Sequence, residues 1–232
     1  MIAYLRDHYG KRAIVLTSRV HPGEPQASFM LEGSLKMLLS DSPLARELRH
    51  HFVFRIVPML NPDGVVYGNY RCSLLGQDLN RQWLLPNRHL QPSIFSTKQL
   101  IKFLSWERGV LLYCDMHGHS RKENVFFYGC TYKNYEHEGR IKNAQLRVLP
   151  LLCCHKNSSF SFGGCSFRIE KVKESTGRVV VFKEFNIMNS FTLECSFHGK
   201  QLPGGKIQHL TLQDMQLVGS VLVEALETYL PQ

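Results

Sequence analysis

The chain has 232 residues, of which 44% are hydrophobic and 20% charged, and its formal net charge is +9. This length suffices for one core that buries roughly 70 to 75% of the unfolded surface, so we expect a single domain over residues 1–232. The composition is that of a soluble globular protein, and no apolar run is long enough to cross a bilayer, which argues against a membrane protein.

The excess of basic residues predicts an affinity for anions. Nucleic acid is one such class, but the sequence has no zinc-finger or RNP-like motif and its basic residues are spread along the chain; an acidic peptide satisfies the charge equally well. The seven cysteines are odd in number and show no CxxC spacing. This argues against a disulfide framework and a thiolate zinc site, and predicts an intracellular protein with reduced thiols.

Strand and helix patterns alternate in the first part of the chain. Residues 12–20 form a β-branched apolar run typical of a buried parallel strand, and residues 25–39 follow as an amphipathic helix. A short helical stretch at 44–48 leads to a second strand, 52–60, which ends at the turn signal 61–64. The alternation predicts an α/β fold with a parallel sheet.

Residues 65–90 are polar and irregular, and a connection of this length inside a compact domain is usually functional. The remaining pattern predicts a helix at 93–105, strands at 110–115 and 124–129, a helix at 139–152, a loop or edge strand at 157–168, a strand at 190–197, and a last helix from a capping box of Thr211 and Asp214 through Tyr229.

The turn between the first strand and the first helix carries a candidate metal site. Pro22 and Gly23 both oppose helix, so His21 and Glu24 lie on a bend at the end of a strand. His117 follows a predicted strand in the same way, and neighbouring parallel strands end at one edge of a sheet. Two histidines, one carboxylate and an open fourth position are typical of catalytic zinc. The alternative for the first pair alone is an ordinary surface turn.

Other polar residues lie near the same predicted edge. His119 is an alternative ligand or a partner of one, and Asp115 can orient an imidazole from behind. Glu194 is the only charge in the predicted strand 190–197, where an unpaired carboxylate is costly. Beside a catalytic zinc, a carboxylate can accept the proton of the attacking water and pass it to the leaving amine. The alternative for Glu194 is a salt bridge with an arginine.

The long polar loop contains Arg71, Asn80 and Arg81. Guanidinium groups bind carboxylates and stabilise a developing oxyanion, so these residues suit a substrate's terminal carboxylate or its scissile carbonyl. The alternative is ordinary solvated surface.

Six motifs follow one another along the chain: HPGE (21–24), NPDG (61–64), GNYR (68–71), DLNRQW (78–83), DMHGHS (115–120) and SFTLE (190–194). In this order they closely resemble the cytosolic carboxypeptidases, a branch of the zinc metallocarboxypeptidases. The resemblance implies a mixed, mostly parallel sheet flanked by helices.

The resemblance also assigns roles to the central residues. His21, Glu24 and His117 match the ligands of one zinc ion, and Glu194 matches the catalytic general base. Arg71 matches the arginine that polarises the scissile carbonyl.

Further matches concern substrate recognition. Asn80 and Arg81 match the pair that grips the C-terminal carboxylate of the substrate. Lys173, Arg178 and Lys183 lie in the segment where related enzymes build the pocket for the terminal side chain. One or more of them would pair with a substrate glutamate, and Arg178 is the first choice.

Members of the family act on acidic C-terminal tails, above all the glutamates of tubulin, and a net charge of +9 suits such a substrate. The resemblance implies a cytoplasmic enzyme that removes C-terminal glutamates and associates with microtubules. One alternative is an N-acyl amino-acid deacylase, which NPDG, DLNR and the long loop disfavour. The other is a catalytically inactive module that binds acidic tubulin tails.

The family carries a β-rich domain ahead of the catalytic one. Only about twenty residues precede HPGE here, so we expect a chain truncated at its amino terminus.

Overall fold

Strands and helices alternate around one central sheet in the structure, a computed structural model that describes residues 10–133 and 137–231. The strands within these ranges are β1 Arg12–Ser18, β2 Phe52–Val57, β3 Val110–His119, β4 Val125–Tyr128, β5 Asn189–Ser196, β6 Lys200–Gln201 and β7 Ile207–Gln208. The α-helices are α1 Gln26–Leu39, α2 Pro43–His51, α3 Pro62–Val66, α4 Pro92–Glu107, α5 His137–Gln145, α6 Val148–Lys156, α7 Gly177–Phe185 and α8 Leu212–Glu224.

The central sheet has the strand order β2-β1-β3-β5-β4. Its first four strands are parallel, and β4 runs antiparallel to β5. The predicted mixed, mostly parallel sheet flanked by helices is therefore confirmed. Because β1, β3 and β5 are adjacent and parallel, their carboxyl ends meet at one edge, where ligands bind in folds of this kind.

Alternate side chains of the central strands enter two apolar clusters on opposite faces of the sheet. Ile14 and Leu16 pack with residues of α1, α6 and α8, whereas Ala13 and Val15 pack with residues of α4 and α7. This alternation follows from the two-residue period of a strand. No helix in the described part of the chain is long and apolar enough to span a membrane.

Strand β3 is longer than the predicted strand at 110–115. It continues to His119 because β5 pairs with it from Leu112 up to the pair His119 and Ser196. His117 consequently lies inside a strand rather than just after one.

The predicted helix at 139–152 is divided into α5 and α6. Pro150 explains the break, because its ring blocks the carbonyl group four residues earlier, at Leu146. The last helix begins with the predicted capping box of Thr211 and Asp214. It changes to a 3₁₀-helix at Ala225–Tyr229 instead of continuing as an α-helix.

Helices α1 and α8 cross with their backbones in close contact. A Cβ atom built on Gly219 would lie 1.7 Å from the carbonyl oxygen of Met30, and one on Gly33 would lie 1.8 Å from that of Gln216. The Ser34 hydroxyl donates a hydrogen bond to the Gly219 carbonyl at 2.8 Å. This crossing supports α1, which begins directly after the turn that carries His21 and Glu24.

Candidate metal centre and substrate cleft

His21, Glu24 and His117 converge at the carboxyl edge of the sheet, and all three are buried. Nδ1 of His21 lies 2.8 Å from Oε1 of Glu24, and Nδ1 of His117 lies 2.9 Å from Oε2. One ligand atom from each residue falls within 4.8 Å of the other two. The structure thus brings together the three residues that the sequence predicts as zinc ligands.

The outer nitrogens of both imidazoles are held by carboxylates. Nε2 of His21 lies 3.1 Å from Asp78, and Nε2 of His117 lies 2.7 Å from Asp115, which also accepts a hydrogen bond from Thr17 at 2.7 Å. A carboxylate behind an imidazole fixes the proton on the outer nitrogen and leaves the inner one free to bind a metal ion.

The hydrogen bonding of the centre tests whether these residues fit zinc. Nδ1 of His21 is buried and makes no hydrogen bond in the described part of the chain, although Glu24 lies close to it. A buried nitrogen without a hydrogen bond is costly unless a cation binds it. Two imidazole nitrogens and one carboxylate are also a ligand set of catalytic zinc. The residues therefore fit a zinc ion.

The turn that holds His21 and Glu24 is packed against the long polar loop. The Gly23 amide donates to the Tyr70 carbonyl at 2.7 Å, and a Cβ atom on Gly23 would lie 2.4 Å from the Tyr70 ring. Only glycine allows this approach. The Gly118 amide donates to Glu24 at 3.0 Å and fixes the carboxylate between the two imidazoles.

Glu194 lies next to the metal centre on the neighbouring strand. Its backbone is the register partner of His117, and its side chain is buried. The pKa of this carboxyl group is raised to about 7. Burial is the main cause, the charge of His117 opposes it, and the charge of Glu24 adds to it. Among the described residues Glu194 forms no ion pair, so the alternative of a salt bridge with an arginine is not realised there. A carboxyl group with this pKa is suited to proton transfer near neutral pH.

Arg71 reaches the metal centre through Asp78. Its Nε and Nη2 atoms donate to one oxygen of Asp78 at 2.9 and 2.8 Å, and Nη1 lies 4.0 Å from Glu24. Asp78 therefore joins the imidazole of His21 to this guanidinium group. Opposing effects act on the pKa of Asp78. Burial raises it, but the hydrogen bond from His21 and the charges of the arginines lower it by more, so the pKa lies well below its usual range.

Asn80 and Arg81 follow in the 3₁₀-helix at Leu79–Arg81. Asn80 is buried; its Nδ2 atom lies 3.5 Å from Nε2 of His117, and its Oδ1 atom accepts from the Gly177 amide at 3.0 Å. Arg81 lies 3.8 Å from Asp78 and is more exposed.

These residues line a cavity of about 470 Å³ that opens over the metal centre. Its cationic lining residues are Arg71, Arg81, Arg121, Arg168, Lys173 and Arg178, and its acidic ones are Glu24, Glu170 and Glu194.

The three candidates for reading the terminal side chain have different positions. Arg178 is buried in the cavity wall and donates to the Gly129 carbonyl, and Lys173 lies on the same wall. Lys183 forms an exposed ion pair with Glu174 at 2.9 Å and is not among the lining residues.

Sequence reasoning missed several residues of the site. Asp78 precedes Asn80 in the motif DLNR, and its spacing from His21 gives no sign of their contact. Tyr128 and Arg168 also line the cavity. They lie in segments where the sequence shows a short strand and a loop. The pairing of β4 with β5 brings Tyr128 to the site, and a bridge between Tyr128 and Ser166 brings the segment that carries Arg168.

Comparison with known families identifies one match that covers most of the chain. The model of the zinc carboxypeptidase family (Peptidase_M14) matches residues 5–217. The chain is also 47% identical over 221 residues to cytosolic carboxypeptidase 2 of Xenopus tropicalis, covering 94% of this chain and 22% of that protein. The human cytosolic carboxypeptidase 2 is 48% identical over 214 residues, which are 90% of this chain and 23% of the relative.

Solved structures show the same fold. A metallo-carboxypeptidase from Burkholderia cenocepacia is similar with a TM-score of 0.81 at 24% identity, covering 97% of this chain and 58% of that one. One from Pseudomonas aeruginosa, in complex with (2-guanidinoethylmercapto)succinic acid, has a TM-score of 0.79 at 23% identity and coverages of 95% and 57%. The chain spans less than a quarter of the length of the two cytosolic carboxypeptidases above.

Proposed function

The chain belongs to the zinc carboxypeptidase family, and on this premise we propose that it is a metallocarboxypeptidase that removes C-terminal glutamates from acidic protein tails, such as those of tubulin. One observation carries the proposal: a metal-fitting cluster and a buried carboxylate form the base of a cavity whose walls are rich in cations.

In this proposal His21, Glu24 and His117 hold one zinc ion per chain. When bound, zinc acts as a Lewis acid on water and on the scissile carbonyl. Glu194 accepts a proton from the attacking water and delivers it to the departing amine. The peptide C–N bond breaks. The oxygen of the water becomes part of the new carboxyl group, and the proton that Glu194 accepted leaves with the amino group.

The loop residues bind the substrate around this reaction. Arg71 donates to the carbonyl oxygen on which negative charge develops, where a fixed donor is most effective. Asn80 and Arg81 bind the terminal carboxylate, which a guanidinium group can hold through two hydrogen bonds.

Glutamate specificity is assigned to the wall that carries Arg178 and Lys173. Arg178 is 5% exposed, so its charge acts in a medium that screens it little. The remaining cationic residues of the cavity would attract the rest of an acidic tail. The names of the relatives support a cytoplasmic location. Action on tubulin and association with microtubules are parts of the proposal.

The test is a comparison of substrates with the purified, zinc-loaded chain. Peptides that differ only in a C-terminal Glu, Ala or Lys, glutamylated tubulin, and acetyl-aspartate are assayed for amino-acid release. We expect release of glutamate from the first peptide and from tubulin. Release of aspartate from acetyl-aspartate alone would support a deacylase instead. A chain that binds tubulin but releases no glutamate and holds no stoichiometric zinc would support an inactive binding module.

A pair of variants tests the specificity wall. Arg178→Gln should lower kcat/KM for the Glu-ended peptide more than for the Ala-ended one. Lys183→Gln, which changes a cation outside the cavity, should leave both values unchanged. Equal loss on both peptides would show that Arg178 does not read the side chain, and thermal melting identifies a variant that is merely unfolded.

A further inference from the structure

We propose that Tyr128 is a further substrate-contacting residue of this cleft, whose hydroxyl donates a hydrogen bond to a carbonyl or carboxylate oxygen of the peptide, and that His119 positions this hydroxyl. The inference rests on the proposed function and adds a donor to it. Three observations support the assignment: the strand register, the tautomer of His119 and the packing of the phenol ring.

The strand register directs Tyr128 to the reacting centre. In the antiparallel pair of β4 and β5, Tyr128 is opposite Thr192, and Phe126 is opposite Glu194. Directly opposed residues of a ladder project to the same face, as do residues two apart on one strand. Tyr128 therefore projects to the same side as Glu194, and both side chains line the cavity.

The contacts of His119 determine its tautomer. Its Nδ1 atom accepts hydrogen bonds from the backbone amides of Arg121 and Lys122, both at 3.1 Å. A nitrogen that accepts two amide hydrogens carries no proton, so the ring proton is on Nε2. Nε2 lies 3.5 Å from the Tyr128 hydroxyl oxygen, which makes histidine the donor and tyrosine the acceptor in this contact.

The direction of this contact leaves the tyrosine proton available. Among residues 10–133 and 137–231, the Tyr128 hydroxyl has no hydrogen bond other than the one with His119. Its oxygen accepts from Nε2–H, so its own hydrogen must point elsewhere. Tyr128 is part of the cavity lining, so a substrate oxygen in the cavity is the natural acceptor.

Packing holds the phenol ring in a narrow range of positions. The Phe126 ring lies 5.4 Å away edge to face, and the Arg178 guanidinium carbon lies over the ring at 6.0 Å. Lys122 approaches the ring at 5.3 Å. A donor fixed before binding loses little conformational entropy when the substrate arrives. Tyr128 also lies beside Arg178, so both would act on the same terminal residue.

The first test is Tyr128→Phe, which removes the hydroxyl and keeps the ring. We expect kcat/KM on a Glu-ended peptide to fall about three- to tenfold, the range of one neutral hydrogen bond, with unchanged zinc content and melting temperature. Tyr132→Phe is the matched control, since that residue does not line the cavity, and should have no effect on kcat/KM. Unchanged kinetics of Tyr128→Phe would overturn the assignment.

The second test separates positioning from structure with a double-mutant cycle. His119→Asn keeps an oxygen that can accept from the two amides and removes the Nε2–H donor. It should lower kcat/KM about threefold when Tyr128 is present and have no effect in the Tyr128→Phe background. Equal losses in both backgrounds would show that His119 does not act through Tyr128.

A binding measurement distinguishes this inference from the proposed function. In Glu194→Gln protein, which should bind but not cleave, the added Tyr128→Phe change should weaken binding of the Glu-ended peptide about three- to tenfold by calorimetry. Wild-type protein that releases no glutamate would contradict the proposed function. Equal affinity of the two variants would contradict the role of Tyr128 alone.

Discussion

His117 on β3 and Glu194 on β5 are register partners in adjacent parallel strands. Register partners project to the same face of a sheet, so the strand pairing by itself places a candidate metal ligand beside a carboxylate. Glu194 is buried there without an ion-pair partner among the described residues, and its pKa is raised to about 7.

Replacement of Glu194 by glutamine should separate metal binding from catalysis. The variant keeps the size of the side chain and removes the proton acceptor, so we expect kcat to fall by about 10² to 10⁴-fold. Zinc content should remain one per chain, because the three ligand side chains are unchanged. Kinetics with a Glu-ended peptide and metal analysis check the two expectations, with Glu227→Gln, a change at an exposed carboxylate, as control. A variant with full activity would rule out Glu194 as the base.

The same substitution predicts a pH dependence of stability in chelator-treated, metal-free protein. The Glu194 pKa is about 7 in the folded state, against its ordinary value of 4.5 in the unfolded chain. From pH 4.5 to 7 the unfolded chain is ionised while the folded chain keeps its proton, so the free energy of unfolding falls as pH rises. The loss approaches about 3 kcal/mol above pH 7. In denaturant titrations, the free energy of unfolding of Glu194→Gln should therefore increase relative to that of wild type between pH 5 and pH 8. A difference that stays constant over this range would contradict the raised pKa.

The convergence of His21, Glu24 and His117 could be predicted because the needed information is local. His21 and Glu24 lie in one turn after a strand, and parallel strand ends meet at one edge whatever the details of packing. The continuation of β3 to His119 could not be predicted in the same way, since Gly118 and the polar residues around it have no strand pattern. Pairing with β5 imposes the strand there.

Helix α7 and Asp78 show two other limits of the sequence. The run Val179–Val181 is β-branched and does not favour helix by itself. It forms one because Val180 and Val181 pack into the apolar cluster of α4. The role of Asp78 depends on a contact with His21 across 57 positions, which no local pattern encodes.

Asp115 should support zinc affinity without touching the metal. Its hydrogen bond to Nε2 of His117 holds the ring and raises the basicity of the inner nitrogen, so Asp115→Asn should weaken zinc binding about 10- to 100-fold. Competition with a chromogenic chelator measures the change. Asp41→Asn, an exposed carboxylate change, is the control. Unaltered zinc affinity in Asp115→Asn would mean that the neighbouring contacts alone orient His117.

The crossing of α1 and α8 should tolerate no side chain at Gly219. A methyl group there meets the Met30 backbone carbonyl, which cannot move without distorting α1, so we expect Gly219→Ala to lower the free energy of unfolding by about 2 to 3 kcal/mol. Leu217→Ala on the exposed side of α8 should change it by less than about 1 kcal/mol. Chemical denaturation measures both, and equal stability of the two variants would contradict the close crossing.

Lys98 should stabilise the loop that carries Asn80 and Arg81. Its ammonium group donates to the carbonyls of Trp83 and Leu84 at 2.9 and 2.8 Å and lies 2.7 Å from Glu184 on α7. Lys98→Met leaves two carbonyls in poorly hydrated positions, which costs about 2 kcal/mol of unfolding free energy. Because the loop then loses its anchor on α4, KM for a Glu-ended peptide should rise more than kcat falls.

Glu184→Gln separates the two kinds of contact made by Lys98. The Glu184 side chain is 38% exposed, so solvent screens its ion pair, and its removal should cost less than about 1 kcal/mol with KM unchanged. A loss equal to that of Lys98→Met would show that the ion pair, rather than the two carbonyl bonds, anchors the loop. A rise in KM without loss of stability in Lys98→Met would still place the lysine's effect in the substrate-binding loop, because the carbonyls it binds belong to residues two and three positions after Arg81.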